Sequence, residues 1–140
     1  MILISACLLG VACRYDGNST PNLRLVESLI DRSYIVVCPE VMGGLSIPRE
    51  PARIFGGDGA GVLNGTARVR NDEGVDVTAR FLEGANKTLD LARRFQVTEC
   101  YLKSKSPSCG CKPHPKRPVG VTAALLMQHG FMVFESDSDR

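Results

Sequence analysis

The sequence predicts a compact three-layer α/β sandwich, Rossmann-like or flavodoxin-like, with a mainly parallel sheet and helices on both faces. Short apolar runs typical of buried strands alternate along the chain with segments whose apolar residues recur at helical spacing. The 140 residues are 44% hydrophobic and 23% charged, which is enough apolar mass for one core. We therefore expect residues 1–140 to form a single domain.

The first strand is predicted at residues 2–6, an apolar run that leads into a Gly-containing loop. Thr20 followed by Pro21 resembles the N-cap and first position of a helix, which continues with apolar spacing to about residue 31. Residues 34–38 are β-branched and apolar and stop at a proline, so they predict a second buried strand.

A long loop region is predicted next. Residues 39–66 are rich in Gly and Pro, and we expect at most one helical turn there, near residues 51–54. Loops of this length inside small domains are usually functional. Residues 67–75 contain an Asn-Asp-Glu-Gly turn, which predicts a small hairpin or an edge extension.

The second half of the chain repeats the strand and helix alternation. Residues 78–95 have apolar positions three or four apart and give the clearest helix, and residues 99–103 follow as a third strand. A last helix is expected at residues 121–128 and a last strand at residues 131–134. The polar tail, residues 135–140, is expected to fray.

The charge of the chain is nearly balanced. Seventeen Lys and Arg against fifteen Asp and Glu give a formal charge of +2, so we expect neither a nucleic-acid partner nor a membrane-surface partner. No apolar run is long enough to span a membrane, and no Lys or Arg precedes Arg14 to form the cationic start of a secretory signal. We expect a cytoplasmic protein.

Six cysteines are the unusual part of the composition. They are too few for a disulfide scaffold, and thiols in the cytoplasm stay reduced, so a metal or catalytic role is favoured. Cys7, Cys38 and Cys109 each follow a predicted strand, next to loops rich in Gly, Pro or Ser. Because ligands of parallel sheets bind beyond the carboxyl ends of the strands, we expect these three sulfurs to converge.

The other cysteines have weaker signals. Cys100 lies inside a predicted strand and is expected to be a core residue. Cys13 lies in a Gly-flanked loop, and Cys111 comes two residues after Cys109. For both, an extra ligand, a shuttle thiol and no role at all remain open.

Three dispersed thiolates favour an iron-sulfur cluster over the alternative, zinc. Structural zinc normally takes closely spaced pairs such as C-x2-C, and the chain has no such pair. An iron-sulfur cluster normally takes four cysteines, so three would leave one iron open as a Lewis acid.

Four motifs resemble the small bacterial 2-thiouracil desulfurase family, which is also catalogued as a domain of unknown function. They occur in the family order and span nearly the whole chain. The motifs are residues 6–17 (ACLLG…CRYDG), 38–49 (CPEVMGGL…PR), 102–110 (LKSKSPSCG) and 120–126 (GVTAALL).

The resemblance implies a metal-binding enzyme with a [4Fe-4S] cluster held by three cysteines, here Cys7, Cys38 and Cys109. The implied reaction is not a redox step: a thiolated nucleobase such as 2-thiouracil becomes uracil, and sulfide is released. A thiocarbonyl sulfur is soft and suits thiolate-ligated iron, which polarises the carbon-sulfur bond for attack by water. The expected partner is therefore a small thiolated molecule.

Acid-base chemistry at this site is assigned first to Glu40, which lies two residues after a proposed ligand, and second to Asp16. Ordinary turn chemistry is the alternative for Asp16, and a loop hydrogen bond is the alternative for Glu40. Ser108 is a third catalytic candidate, and Ser106 is expected to bind substrate, because both hydroxyls flank Pro107 and are available as donors.

Three cations complete the predicted substrate-binding set. Arg14, Arg49 and Lys103 are expected to balance an anionic cluster or the released hydrosulfide, with a solvated surface position as the alternative. One segment departs from the family, because residues 111–119 are short, basic and Pro-rich where family members carry a longer element. A redox or oxygen sensor without turnover, and a structural zinc protein, are the competing functions.

Overall fold

The structure, a computed structural model, describes residues 1–139. Its centre is a four-stranded sheet in the order β2-β1-β5-β6, with every neighbouring pair parallel. The strands are β1 (Ile2–Ser5), β2 (Tyr34–Val37), β5 (Glu99–Lys103) and β6 (Met132–Ser136). The predicted α/β class with a mainly parallel sheet is confirmed.

The central strand β1 is buried along its whole length, and its side chains alternate between two clusters of the core. Leu3 belongs to the larger cluster, whereas Ile2 and Ile4 belong to the smaller one on the opposite face. Strand β5 alternates in the same way, and Cys100 and Leu102 are fully buried in the larger cluster. The core role expected for Cys100 is therefore confirmed.

Four helices bury the larger cluster: α2 (Pro39–Met42), α3 (Gly59–Asn64), α4 (Thr78–Arg94) and α5 (Val121–Gln128). Helix α5 is apolar on nearly all sides because it is enclosed by α3, α4 and the sheet. The opposite face is covered more thinly, by a 3-10 turn at Ala6–Leu9 and by α1 (Leu23–Ser28) with Leu29.

Two sequence predictions about α1 are wrong. The helix is capped by Asn22, whose side chain accepts a hydrogen bond from the Leu25 backbone N–H at 2.9 Å, so Thr20 is not its cap. The helix also ends earlier than predicted, and Leu23 and Ile30 are largely exposed. The helix is shorter than predicted because apolar spacing alone does not show that Leu23 and Ile30 face solvent.

The region predicted as a long loop, residues 39–66, contains three short elements. Besides α2 and α3, strand β3 (Ala52–Phe55) occupies the place of the expected helical turn and pairs antiparallel with β4 (Arg68–Asn71). The turn after β4 forms as predicted, with a bridge between Arg70 and Asp76. Strands of four residues give too little periodicity to be recognised in sequence.

The tail is more ordered than predicted. Glu135 and Ser136 extend β6, and the Asp137 carboxylate accepts hydrogen bonds from the Ser104 hydroxyl at 2.5 Å and the Lys103 ammonium at 3.1 Å. Arg140, the last residue of the predicted frayed tail, lies outside the described residues. The described part of the chain also contains no helix that is both long and apolar enough to cross a membrane.

Helices α2 and α4 cross at the backbone of Gly84. A Cβ atom at Gly84 would lie 1.9 Å from the carbonyl oxygen of Pro39, which is the first residue of α2. We expect Gly84→Ala to lower the free energy of unfolding by about 1–3 kcal/mol, because overpacking against a backbone atom outweighs alanine's better helix propensity. Chemical denaturation measures this, with Asn86→Ala on the exposed side of the same helix as the control. An unchanged midpoint for Gly84→Ala would contradict this close crossing.

Candidate active site

A cavity of about 270 Å³ lies beyond the carboxyl ends of β1, β2 and β5. From β1 the chain first adds β2 on one side of the sheet and later adds β5 and β6 on the other side. The strand order therefore reverses between β1 and β5. Ligands of open parallel sheets bind at such a reversal. Nine of the ten site residues predicted from the sequence line this cavity: Cys7, Arg14, Cys38, Glu40, Arg49, Lys103, Ser106, Ser108 and Cys109.

The three predicted ligands reach the cavity on three different segments. Cys7 lies in the 3-10 turn that directly follows β1, and Cys38 is the N-cap of α2, immediately after β2. Cys109 ends the Ser-Pro-Ser loop that follows β5. Pro39 stops β2 and begins α2, so it fixes the place where Cys38 leaves the sheet. All six cysteines are free thiols.

Cys13, whose role the sequence leaves open, also lines the cavity. Its thiol lies between two of the predicted ligands, and hydrogen bonds with it lower the pKa of Cys7 to about 6 and that of Cys38 to about 7. The pKa of Cys13 itself is raised by these same two partners. The Cys13 thiol therefore favours the thiolate forms of Cys7 and Cys38, and the thiolate is the form that binds metal.

Cys109 has a different environment. Burial raises the pKa of its thiol to about 12, although hydrogen bonds with Ser5 and Ser108 partly oppose that effect. A bound metal deprotonates a coordinating thiol directly, so a high pKa in the metal-free state is compatible with a ligand role. The charges of Cys7 and Cys38 also raise the pKa of Cys109, and all three side chains line the same cavity.

A chain of hydrogen bonds runs from Ser106 through Ser108 to Glu40. The Ser106 hydroxyl oxygen accepts the backbone N–H groups of Ser108 and Cys109 at 3.2 and 3.1 Å, so its own hydrogen points to the Ser108 oxygen, 3.0 Å away. The Ser108 hydroxyl in turn donates to Oε2 of Glu40 at 3.0 Å. Ser108 also lies 3.6 Å from the Cys109 sulfur, so the proton chain borders a predicted ligand.

Gly120 brings helix α5 against the Ser-Pro-Ser loop. A Cβ atom at Gly120 would lie 2.5 Å from the carbonyl carbon of Ser108, so only glycine fits at this contact. The first N–H groups of α5 donate to the loop, from Val121 to Pro107 at 2.9 Å and from Ala123 to Ser108 at 3.0 Å. The motif at residues 120–126 therefore supports the loop that presents Ser106, Ser108 and Cys109.

The predicted cations lie at the cavity with protein partners. The Lys103 ammonium contacts the Asp137 carboxylate and the Ser104 carbonyl oxygen. Arg14 packs over the Tyr15 ring at 5.4 Å, and the Arg49 guanidinium donates to Glu40 at 3.2 Å. Apart from the Glu40 carboxylate, the Asp, Glu, Lys and Arg residues of the cavity lining are all cationic, and this positive surround suits anionic thiolates and a released hydrosulfide.

Asp16 is the one predicted site residue that does not line the cavity. Its carboxylate accepts the Asn18 backbone N–H at 2.9 Å, and this hydrogen bond lowers the pKa of Asp16. The structure therefore gives Asp16 the turn role named as the alternative, and of the two carboxylates predicted for acid-base chemistry only Glu40 reaches the cavity.

Two charged residues of the cavity lining, Lys105 and Arg117, were not predicted from the sequence. Arg117 belongs to the short basic segment at residues 111–119, and its backbone pairs with His114 in a tight turn. The His114 ring contacts the Glu135 carboxylate at 3.1 Å, which anchors the segment to β6. The Pro-rich composition of residues 111–119 indicated a stiff wall, but not that Arg117 faces the cavity.

The donor set fits an iron-sulfur cluster. Three cysteines from separate segments face one cavity, and two of them have pKa values near neutrality. Among residues 1–139, no three His, Cys, Asp or Glu side chains are placed to hold a metal ion. A four-iron cluster is bound at its corners and so takes cysteines that stand further apart than those around a single ion.

These features define the class of the protein: an α/β protein with a cysteine-lined cavity and an adjoining serine-glutamate hydrogen-bond chain. The chain belongs to the 2-thiouracil desulfurase family, whose sequence model matches residues 2–138. The family predicted from the four motifs is therefore confirmed.

Two known proteins are similar to this chain over nearly its whole length. An uncharacterized protein of Bacillus subtilis (strain 168), YbbK, is 41% identical over 145 residues, which cover 98% of this chain and 96% of that protein. The solved structure of a [4Fe-4S]-dependent thiouracil desulfidase, TudS, is similar with a TM-score of 0.82 and 36% identity, and the match covers 96% of this chain and 89% of that one.

Proposed function

We propose that this protein is a [4Fe-4S]-dependent desulfidase that converts 2-thiouracil, or a similar small thiolated compound, to its oxo form. The convergence of Cys7, Cys38 and Cys109 on one cavity beside the Glu40–Ser108 pair carries the proposal. The reaction is a hydrolysis, in which the thiocarbonyl compound and water give the carbonyl compound and hydrogen sulfide. Family membership supports the reaction, and similarity to TudS supports the cofactor.

The cluster is assigned to Cys7, Cys38 and Cys109, and it supplies a Lewis-acidic iron for the substrate sulfur. Hydrogen bonding with the Cys13 thiol favours the thiolate forms of Cys7 and Cys38. The positive surround from Arg14, Lys103 and nearby cations favours the anionic form of the leaving sulfide.

Glu40 is assigned the proton transfer. Its Oε2 atom accepts the hydrogen bond of Ser108, so the carboxylate is oriented to take and hold a proton from attacking water. Ser106 keeps Ser108 oriented, because its own oxygen is fixed by two backbone N–H donors. The protonated Glu40 carboxyl group can then return that proton, so one side chain serves as proton acceptor and proton donor.

The proposal also covers the domain that carries the activity, its cellular compartment and the kind of partner it needs. We assign the reaction to a single domain formed by residues 1–140, located in the cytoplasm. Reduced thiols persist in that compartment, and the six cysteines of this chain are all free. A small molecule fits the cavity of about 270 Å³, so neither a nucleic acid nor a membrane is required as a partner.

Anaerobic purification and reconstitution with iron and sulfide test the function. We expect a brown protein with about four irons per chain, a cluster signal in absorbance and paramagnetic resonance spectra, and sulfide release from 2-thiouracil with equal formation of uracil. A colourless protein that carries zinc after reconstitution would favour the structural zinc alternative. A cluster that decays in air without sulfide release at any stage would favour the sensor alternative.

A further inference from the structure

Arg49 occupies a position that its predicted role in substrate binding does not explain. Its side chain is only 7% exposed, although it lies at the edge of the cavity. Its backbone N–H donates to the Tyr15 carbonyl oxygen at 2.8 Å, so the main chain of the residue is tied to the loop that follows β1.

The guanidinium group of Arg49 is directed at protein acceptors from three segments. Its Nε donates to Oε1 of Glu40 at 3.2 Å, one terminal nitrogen donates to the Ser46 carbonyl oxygen at 3.2 Å, and the other donates to the Cys13 carbonyl oxygen at 3.0 Å. The planar fork of arginine can satisfy all three at once, which the single ammonium of lysine cannot reproduce.

The two oxygens of Glu40 are thereby assigned to different partners. Oε1 is held by Arg49, and Oε2 receives the hydrogen bond from Ser108. A glutamate side chain has several rotamers, and the one in the structure keeps Oε1 on Arg49 and presents Oε2 to Ser108. The orientation of the carboxylate therefore depends on the guanidinium behind it.

We propose that Arg49 is a positioning residue that holds the Glu40 carboxylate toward Ser108, and that it does not bind substrate. This inference rests on the proposed function, in which Glu40 moves the proton. Arg49 acts on proton transfer through Glu40, so the effect of removing it on kcat depends on whether Glu40 is present.

A double-mutant cycle of Arg49→Gln and Glu40→Gln tests the proposal, with kcat, KM for 2-thiouracil and iron content measured for each protein. In the wild-type background we expect Arg49→Gln to lower kcat about 100-fold, with KM and iron content changed less than about twofold, because a displaced catalytic group slows chemistry without loss of binding. In the Glu40→Gln background the same substitution is expected to lower kcat by less than about threefold.

Matched variants separate the positioning role of Arg49 from the effect of its charge and from its effect on folding. Arg53→Gln removes a neighbouring exposed arginine and is expected to leave kcat and KM unchanged. Arg49→Lys keeps the charge without the fork and is expected to recover only part of the lost rate. The same four proteins are compared by their thermal unfolding midpoints. We expect the double variant to be no less stable than Arg49→Gln, because Arg49→Gln alone leaves the Glu40 carboxylate buried without its charged partner.

Each contrary result has a distinct meaning. A higher KM with unchanged kcat for Arg49→Gln would restore the substrate-binding role and overturn the proposal. Equal effects of Arg49→Gln in both backgrounds, on kcat or on the unfolding midpoint, would overturn it as well. If the wild-type protein binds the cluster but releases no sulfide, the proposed function fails, and the unfolding cycle still decides whether Arg49 and Glu40 act as a pair.

Discussion

Replacement of Cys7, Cys38 or Cys109 by alanine is expected to abolish binding of the iron-sulfur cluster. Each of these residues supplies one thiolate from a separate segment, and two remaining cysteines cannot hold a cluster that normally takes four. We expect the anaerobically reconstituted variants to be colourless, with iron content near background and no sulfide release from 2-thiouracil. Iron analysis and absorbance spectra measure this directly.

Other cysteines of the same chain provide the controls. Cys100→Ala removes a thiol from the interior of β5, and Cys111→Ala removes a half-buried thiol outside the cavity lining, so both variants are expected to retain the cluster. Cys13→Ser is expected to retain it too, because the hydroxyl keeps a donor beside Cys7 and Cys38. Full iron content in all three ligand variants would refute the assignment, whereas cluster loss in Cys13→Ser would make Cys13 a ligand.

Replacement of Glu40 by glutamine is expected to lower sulfide release at least about 100-fold while cluster content stays unchanged. Glutamine has nearly the same shape and retains polar atoms for Arg49 and Ser108, but it accepts no proton at neutral pH. The assay is the initial rate of sulfide and uracil formation from 2-thiouracil by anaerobically reconstituted protein.

Asp16→Asn is the matched control for Glu40→Gln, because it makes the same chemical change in a carboxylate outside the cavity lining. Its rate is expected to remain within about twofold of the wild type, since surface substitutions usually have small effects. If Glu40→Gln retains the full rate, Glu40 has no part in proton transfer, and a loss confined to Asp16→Asn would assign that role to Asp16.

Much of the sheet could be predicted from the sequence because its strands are short, apolar and bounded by loops. The four strands, helix α5 and the long helix α4 lie close to their predicted positions. The elements that sequence did not reveal are short: β3 has four residues, and its antiparallel pairing with β4 depends on contacts that no local pattern encodes.

The convergence of the three predicted ligands followed from a general property of parallel sheets, whose strand ends meet at one edge. The position of Cys13 did not follow, because it lies in a loop and reaches its two neighbours only through the path of the backbone after β1. Likewise, the basic segment at residues 111–119 was noted for its composition, but only the folded chain shows Arg117 at the cavity.

By itself, the sequence determined the parallel α/β architecture, the family and three cysteines at strand ends, because these depend on local patterns and on motifs of fixed spacing. Only the tertiary structure decided which carboxylate reaches the cavity and what each charged side chain contacts. Glu40 and Arg49 are nine residues apart in sequence, yet their hydrogen bond depends on how α2 and the following loop pack against the Cys13 segment. Hydrogen bonds of this kind depend on distances of a few ångströms, which only the packed core fixes.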